Sequence, residues 1–207
     1  MWTSKVIRSY IGRAAIRIDP KIKIKYEMPP LDPTSDPKKF VKDPRPNYMV
    51  DITGPLGTVK VELLPFVRLS QNSNSEMLVS IENRTNTIEK SMWGTSRALL
   101  NNAINGCLIG HKCILTLKGI GYRAILEDRD GVNYVGVKAG FSHFKYFKVP
   151  STVKADVFQS AIVLSGVNLQ QVKLFAHTIR NCNKPEPYKG KGIFIDGETI
   201  KIKERKK

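Results

Sequence analysis

The chain has 207 residues, enough for one large domain or two small ones, and 41% of them are hydrophobic, enough for a core. Its 34 Lys and Arg outweigh 18 Asp and Glu, and the formal net charge of +16 calls for a polyanion or an anionic surface. No run nears the roughly 18 apolar residues of a membrane-crossing helix, and three cysteines without a C-x-x-C pair exclude a disulfide-stapled secreted fold.

Residues 1–28 read as a basic N-terminal arm, since the first 25 hold seven basic groups and a single acid, Asp19. Before Asp19 the arm alternates apolar with basic residues and contains Ser and Arg, the composition of a mitochondrial presequence. Residues 29–46 carry six of the chain's twelve prolines and read as an inserted loop outside any core. The first α+β repeat is placed at 47–106. Thr58 to Leu63 alternates with period two and Leu78 to Ile81 is apolar, so both read as strands. From Ile88 the apolar spacing turns helical. Asn86 is the expected N-cap, Glu89 follows three residues on, Gly106 is the expected stop, and the helix spans about 87–105.

The second repeat is placed at 107–184. Cys113 to Leu117, Tyr122 to Leu126, Tyr134 to Val137, Phe144 to Val149 and Ala161 to Leu164 read as strands. A helix starts at Asn168 with Val172, Phe175, Ala176 and Ile179 on one face, and Pro185 forbids its continuation. The halves match in order. Val59-x-Val61 and Phe144-x-Tyr146 are offset by 85 residues, the apolar strands by 84 and the capped helices by 82, which points to internal duplication. The fold class is α+β: two duplicated small domains, each a mostly antiparallel sheet packed with one helix, plus basic terminal extensions.

The chain offers little for catalysis. Cys107-x-x-x-His111-x-Cys113 gives three ligands at a spacing that fits no standard zinc site. Gly119-Ile-Gly121-Tyr-Arg-Ala124 imitates a dinucleotide fingerprint but leads into a strand, so no helix N-terminus awaits a pyrophosphate. No nucleophile motif, carboxylate pair, metal set or cofactor site is read, and no small-molecule substrate is expected. The tail, 185–207, differs in kind: the last 24 residues carry eight basic and four acidic groups. In Lys184-Pro-Glu-Pro-Tyr188-Lys189-Gly190-Lys191-Gly192, prolines fix an extended approach, glycines open the backbone to phosphate, lysines supply charge and Tyr188 a stacking face. The plain alternative, a turn into strand Ile193 to Ile195, is compatible with that use.

At this segment the sequence resembles the family of the sixth protein of the large ribosomal subunit. The match runs from Ser165-Gly166 through Ala176, Ile179 and Arg180 to Pro185-Glu186-Pro187-Tyr188-Lys189-Gly190-Lys191-Gly192-Ile193. Further matches are Ile11-Gly12 with Ile16 and Ile18, Arg97 to Asn102, Gly119 to Ala124, and Gly140-Phe141-Ser142-His143. The resemblance implies a non-enzymatic constituent of the ribosome that binds large-subunit rRNA near the sarcin-ricin region and the stalk base, beside neighbouring large-subunit proteins. The residues it assigns to rRNA are Arg123, His143, Arg180, Lys184, Tyr188, Lys189, Gly190, Lys191, Gly192, Lys201 and Lys203. The chain departs from the bacterial pattern in the insertion 29–46, in Asn183-Lys184 where a more arginine-rich lead is usual, and in Lys173 where a small residue is usual. With the presequence-like opening, these departures point to a fungal mitochondrial member in the matrix. The match at Ile11-Gly12 leaves room only for a very short leader or none. The alternatives, a non-ribosomal RNA-binding protein or a nucleic-acid-processing enzyme, share the basic surface; the enzyme would need clustered acids or a metal set.

Overall fold

The structure, a computed structural model, describes residues 10–29, 46–72 and 75–204. The first nine residues of the presequence-like opening, nearly all of the proline-rich insertion and the last three residues lie outside them. The described residues fall into two compact units that divide between Ile109 and Gly110.

In the first unit the order is α1 (Tyr10–Arg13), β1 (Ile16–Arg17), β2 (Lys23–Tyr26), β3 (Tyr48–Gly54), β4 (Gly57–Leu63), β5 (Val67–Asn72), β6 (Glu76–Ile81) and α2 (Thr87–Leu108). Two antiparallel sheets result, ordered β1-β6-β5 and β2-β3-β4. The second unit runs β7 (His111–Lys118), β8 (Arg123–Arg129), β9 (Val132–Lys138), β10 (Lys145–Lys148), β11 (Val153–Phe158), β12 (Ala161–Gly166), α3 (Leu169–Arg180) and β13 (Gly192–Ile195). Its sheets are ordered β11-β12-β7-β13 and β10-β9-β8, again antiparallel.

The duplication is visible strand by strand. Aligning β1 to β6 and α2 with β7 to β12 and α3 reproduces every pairing, leaving α1 and β13 as the additions. The hairpin before each helix opens on a matching turn, Val67 N–H to Leu64 O and Val153 N–H to Pro150 O, both 3.0 Å. Each helix begins with an Asn whose side chain accepts the N–H two residues on, Asn86 from Ile88 and Asn168 from Gln170, both 3.0 Å. The capping residues diverge one step later. Glu89 accepts from Asn83 N at 2.7 Å and from Asn86 Nδ2 at 3.2 Å, whereas Gln171 bonds Thr152 on the neighbouring turn.

Two expectations are corrected. Gly106 does not end the first helix, which runs on to Leu108 because Cys107 in its last turn is fully buried; the left-handed glycine lies four residues later, at Gly110 (φ 81°). Within the expected arm, residues 16–17 and 23–26 are strands, since Ile16, Ile18 and Ile22 are buried while the intervening basic residues face solvent. Within the tail, the strand read at Ile193 to Ile195 is present as β13, wholly buried on the edge of β7.

Burial follows chain periodicity. Val172, Phe175, Ala176 and Ile179 of α3 are buried with Cys113, Leu115, Leu117, Ile162, Leu164 and Ile193 of the sheet. In the first unit, α1 lies on α2 through Gly12, where an added Cβ would come within 2.6 Å of the Trp93 ring. Trp93 Nε1 donates to Val79 O at 2.7 Å, and Arg97 Nε donates to Ala14 O at 2.6 Å, satisfying a carbonyl just past the end of α1. Gly94, by contrast, has only Ile11 Cγ2 at 3.8 Å from its would-be Cβ. Gly12→Val is expected to destabilise the protein by about 1–3 kcal/mol through overpacking, and Gly94→Ala to stabilise it by about 0.5–1 kcal/mol through helix propensity. Urea unfolding of both variants checks the pair, and equal shifts would contradict the close fit of Gly12 on Trp93.

Candidate nucleic-acid interface

Three motifs far apart in sequence meet at one end of the second unit. The chain leaves α3 at Arg180, and Asn183 Nδ2 then donates to Tyr122 Oη at 2.7 Å and Ala139 O at 3.3 Å. That clasp joins the Gly119–Ala124 turn, the Gly140–His143 turn and the loop running from 183 to 192. Gly140 (φ 76°) lets it close, because a Cβ there would meet Asn183 Nδ2 at 2.9 Å.

The loop is tied within itself. Ile193 N donates to Asn183 O at 3.0 Å, Glu186 N to Lys191 O at 2.9 Å, and Gly190 N to Glu186 O at 3.2 Å. Pro187, Tyr188 and Lys189 form the projecting tip, with Tyr188 and Lys189 exposed. Lys203 N donates to Pro187 O at 2.8 Å, so exposed Lys201 and Lys203 run beside the tip. Lys184 is exposed and Lys191 half-buried. Around the clasp, Arg123 lies over the Phe144 ring at 5.4 Å, Lys145 over Phe141 at 3.6 Å, and exposed His143 against Phe141 at 5.8 Å between centroids.

The structure thus gathers most of the expected residues but gives three of them other work. Arg180 holds Glu198 through two bonds, Nε to Oε2 at 2.9 Å and Nη2 to Oε1 at 2.5 Å, and so fixes the strand's exit. Gly192 is buried, and a Cβ there would lie 2.5 Å from Pro185 Cα; the glycine admits the chain's own backbone instead of a phosphate. Gly190 adopts φ 65° and spends its N–H on Glu186. Asn183 and Lys145 join the site without a sequence signal, because no local pattern marks an Asn that bridges two distant turns or a Lys set over a ring.

Lys173, unusual for the resembled family, ion-pairs with Asp196 just beyond β13. Asp196 also accepts Ile114 N at 2.8 Å and donates its own N–H to Ile114 O at 2.8 Å. Burial would raise the Asp196 carboxyl, but the Lys173 and Ile114 hydrogen bonds outweigh it and hold the group below its ordinary value. The Arg180 hydrogen bond does the same for Glu198. Cys113, beside Lys173 Nζ at 3.8 Å, is pushed up to about 11 by burial and stays a thiol. Cys107 donates to Ile52 O at 3.4 Å in the first unit's core. Among the described residues no group of three or more metal-ligating side chains gathers, and no helix is long and apolar enough to cross a membrane.

Because both carboxyls are lowered on folding, the stability they add is present above the ordinary carboxylate range and lost as pH falls through the folded values. The double variant Asp196→Asn, Glu198→Gln is therefore expected to lose stability at neutral pH and to show a shallower decline from about pH 4.5 downward. Thermal melts across that range check it, and parallel curves for variant and parent would remove these carboxylates from the pH dependence.

Comparison with known proteins gives a consistent result. The chain is 37% identical over 212 residues to the large ribosomal subunit protein uL6m of Neurospora crassa, covering 96% of this chain and 79% of that protein. It is 36% identical over 159 residues to uL6 of Nitrosospira multiformis, 76% of this chain and 86% of the relative. To uL6 of Chlorobium limicola it is 38% identical over 158 residues, 76% of this chain and 85% of the relative. No protein-family model matches the chain. The bacterial relatives cover about three quarters of it, whereas the Neurospora protein covers nearly all, so the chain belongs to the uL6 family of large ribosomal subunit proteins, in its mitochondrial branch.

Proposed function

We propose that this protein binds large-subunit rRNA through the clasped end of its second unit and so braces the RNA during translation in the mitochondrial ribosome. The carrying observation is the convergence of Arg123, His143, Lys145, Lys184, Tyr188, Lys189, Lys191, Lys201 and Lys203 around the Asn183 clasp. Glu198 brings no free charge to this end, because Arg180 engages both of its oxygens. A tip held by its own backbone bonds loses little entropy on binding, so its lysines meet phosphates at low ordering cost. Lysines position the backbone contact, and Tyr188, 61% exposed, offers the ring for a base or ribose.

The family is structural and not enzymatic. The RNA region proposed, beside the sarcin-ricin loop and the base of the factor-binding stalk, is the one the family resemblance implies. Neighbouring large-subunit proteins complete the partners. Arg180 and Gly192 act in this reading from behind, by holding the tail and closing the loop, while the lysines face the phosphates.

Replacing Lys189 and Lys191 together by Ala is expected to weaken rRNA binding across sequences and to lower the log–log salt slope by about one unit per lost phosphate contact. An unchanged slope would mean that both lysines face solvent in the complex. Sedimentation of the tagged protein in a mitochondrial extract, with and without magnesium, tests the assembly. Co-migration with the large subunit in both conditions is expected, and a free or small-subunit position would defeat the proposal.

A further inference from the structure

The β8-β9-β10 sheet has one face on the core and one in solvent, and the solvent face has an unusual composition. Ala124, Val135 and Val137 are buried and Phe147 packs against them. Alternation and register therefore place Arg123, Ile125, Glu127 and Arg129 of β8 on the outside, with Tyr134, Gly136 and Lys138 of β9 and Tyr146 and Lys148 of β10. Phe144, just before β10, continues that face toward Arg123 and lies 6.3 Å from Tyr146 between ring centroids. Four cations, one carboxylate and three aromatic rings thus share an open sheet surface.

Its centre is organised. A Cβ on Gly136 would lie 2.9 Å from the Tyr146 ring, so the glycine lets that ring settle onto the strand backbone. Over its ring, at 4.1 Å from the centroid, sits the guanidinium of Arg129, which also lies 5.9 Å from Tyr134. Glu127 holds the guanidinium by its edge, accepting Nε at 3.1 Å and Nη2 at 2.6 Å on one oxygen, while its other oxygen accepts Tyr146 Oη at 3.0 Å. Three side chains thereby lock one planar cation, and the Arg129 side chain remains 50% exposed. An arginine that only needed to balance Glu127 would not require a ring beneath it or a glycine beneath the ring.

We propose that this outer face is a second RNA-contact surface, which takes unpaired bases by stacking on the Arg129–Tyr146 platform while Lys138 and Lys148 meet the adjoining phosphates. Aromatic rings interleaved with cations on an open sheet are what single-stranded RNA recognises, since every base has a π-face and every linkage a charge. The net positive charge fits that occupant. The face is also continuous with the interface proposed above, because Arg123 belongs to both; Arg123 and Arg129 lie six residues apart on β8, roughly 20 Å along the strand. The inference rests on the reading of the protein as an RNA binder, but on different residues from the loop 183–192.

The test uses the full chain and fluorescence anisotropy with a labelled single-stranded adenylate octamer, followed by photo-crosslinking from position 134 in assembled large subunits. Tyr146→Leu is expected to lower octamer affinity about tenfold, the loss of a stacking contact. Arg129→Lys keeps the charge and gives up the plane, so affinity should fall several-fold with the salt slope unchanged. Circular dichroism identical to the parent's establishes that each variant is folded. Introduced on top of Lys189→Ala, Lys191→Ala, which by itself lowers affinity and salt slope, Tyr146→Leu should still lower octamer affinity by the same factor, which separates failure of this inference from failure of the loop reading. Parental affinity in both platform variants, or crosslinks from position 134 only to protein, would overturn the assignment.

Discussion

The clasped end of the second unit depends on the addition of β13 to the edge of β7. Ile193, Phe194 and Ile195 are buried there, and burying each such side chain contributes about 1.5–3 kcal/mol. The chain must therefore travel from the end of α3 back to a sheet edge within residues 181–191. Having committed both ends, it can only cross the end of the sheet as a compact loop. Gly192 follows from this constraint, since the returning backbone passes against Pro185 where no Cβ fits. So does the clamp beyond the strand: Asp196 ties the exit to Ile114 of β7 and Lys173 of α3, and Glu198 is held by Arg180. The projecting tip is what remains once the strand, the glycine and the two ion pairs are fixed.

Much of this frame is legible from residue order. Helical spacing on α3 names its four buried residues, and the capping asparagines mark both helix starts, because periodicity and capping are local properties. β1 and β2 are not legible, because a two-residue strand and Lys-Ile-Lys-Tyr carry too few apolar positions to register as period two; their charge speaks louder than their alternation. The stop of α2 falls beyond Gly106 because glycine is a weak breaker when the next residue is needed in the core, as Cys107 is. At the interface, the lysines are legible as charge in a proline- and glycine-rich frame. The engagement of Arg180 is not, since Glu198 lies in the irregular chain beyond β13 and no spacing rule links them. The platform on β8-β10 is hidden by the same limit: its members come from three strands and only register brings them together.

Comparing the two units shows how one frame carries two chemistries. In the first, α2 is 22 residues long and its last turn reaches the end of β3, where Gly54 admits Cys107 within 2.8 Å of a would-be Cβ. In the second, α3 is 12 residues long, and the end of β9 is reached by Asn183 bonding Ala139 O. Shortening the helix releases the chain that becomes the loop, and the clasp replaces the missing helical turns. The same position in the fold is thus closed by packing in one unit and by a hydrogen-bonded loop in the other.

The outer sheet faces diverge in a parallel way. On β2-β3-β4 the register lines up Lys23, Thr53 and Thr58 in one row and Lys25, Asp51 and Lys60 in the next, a ladder of small polar and charged groups without an aromatic ring. Lysine at the β2 edge suits a face that stays in solvent, because a charged edge resists pairing with another chain. On β8-β9-β10 the equivalent rows hold Arg123 with Lys138 and Glu127 with Tyr134 and Lys148, flanked by Phe144 and Tyr146. Aromatic rings on a solvated face bury less area than they would in a core, so hydrophobic gain alone does not account for three of them together. With guanidinium groups set against these rings, the face matches the alternation of charge and π-surface along an RNA strand, and the duplicated frame lets that chemistry sit in one unit while the other remains plain.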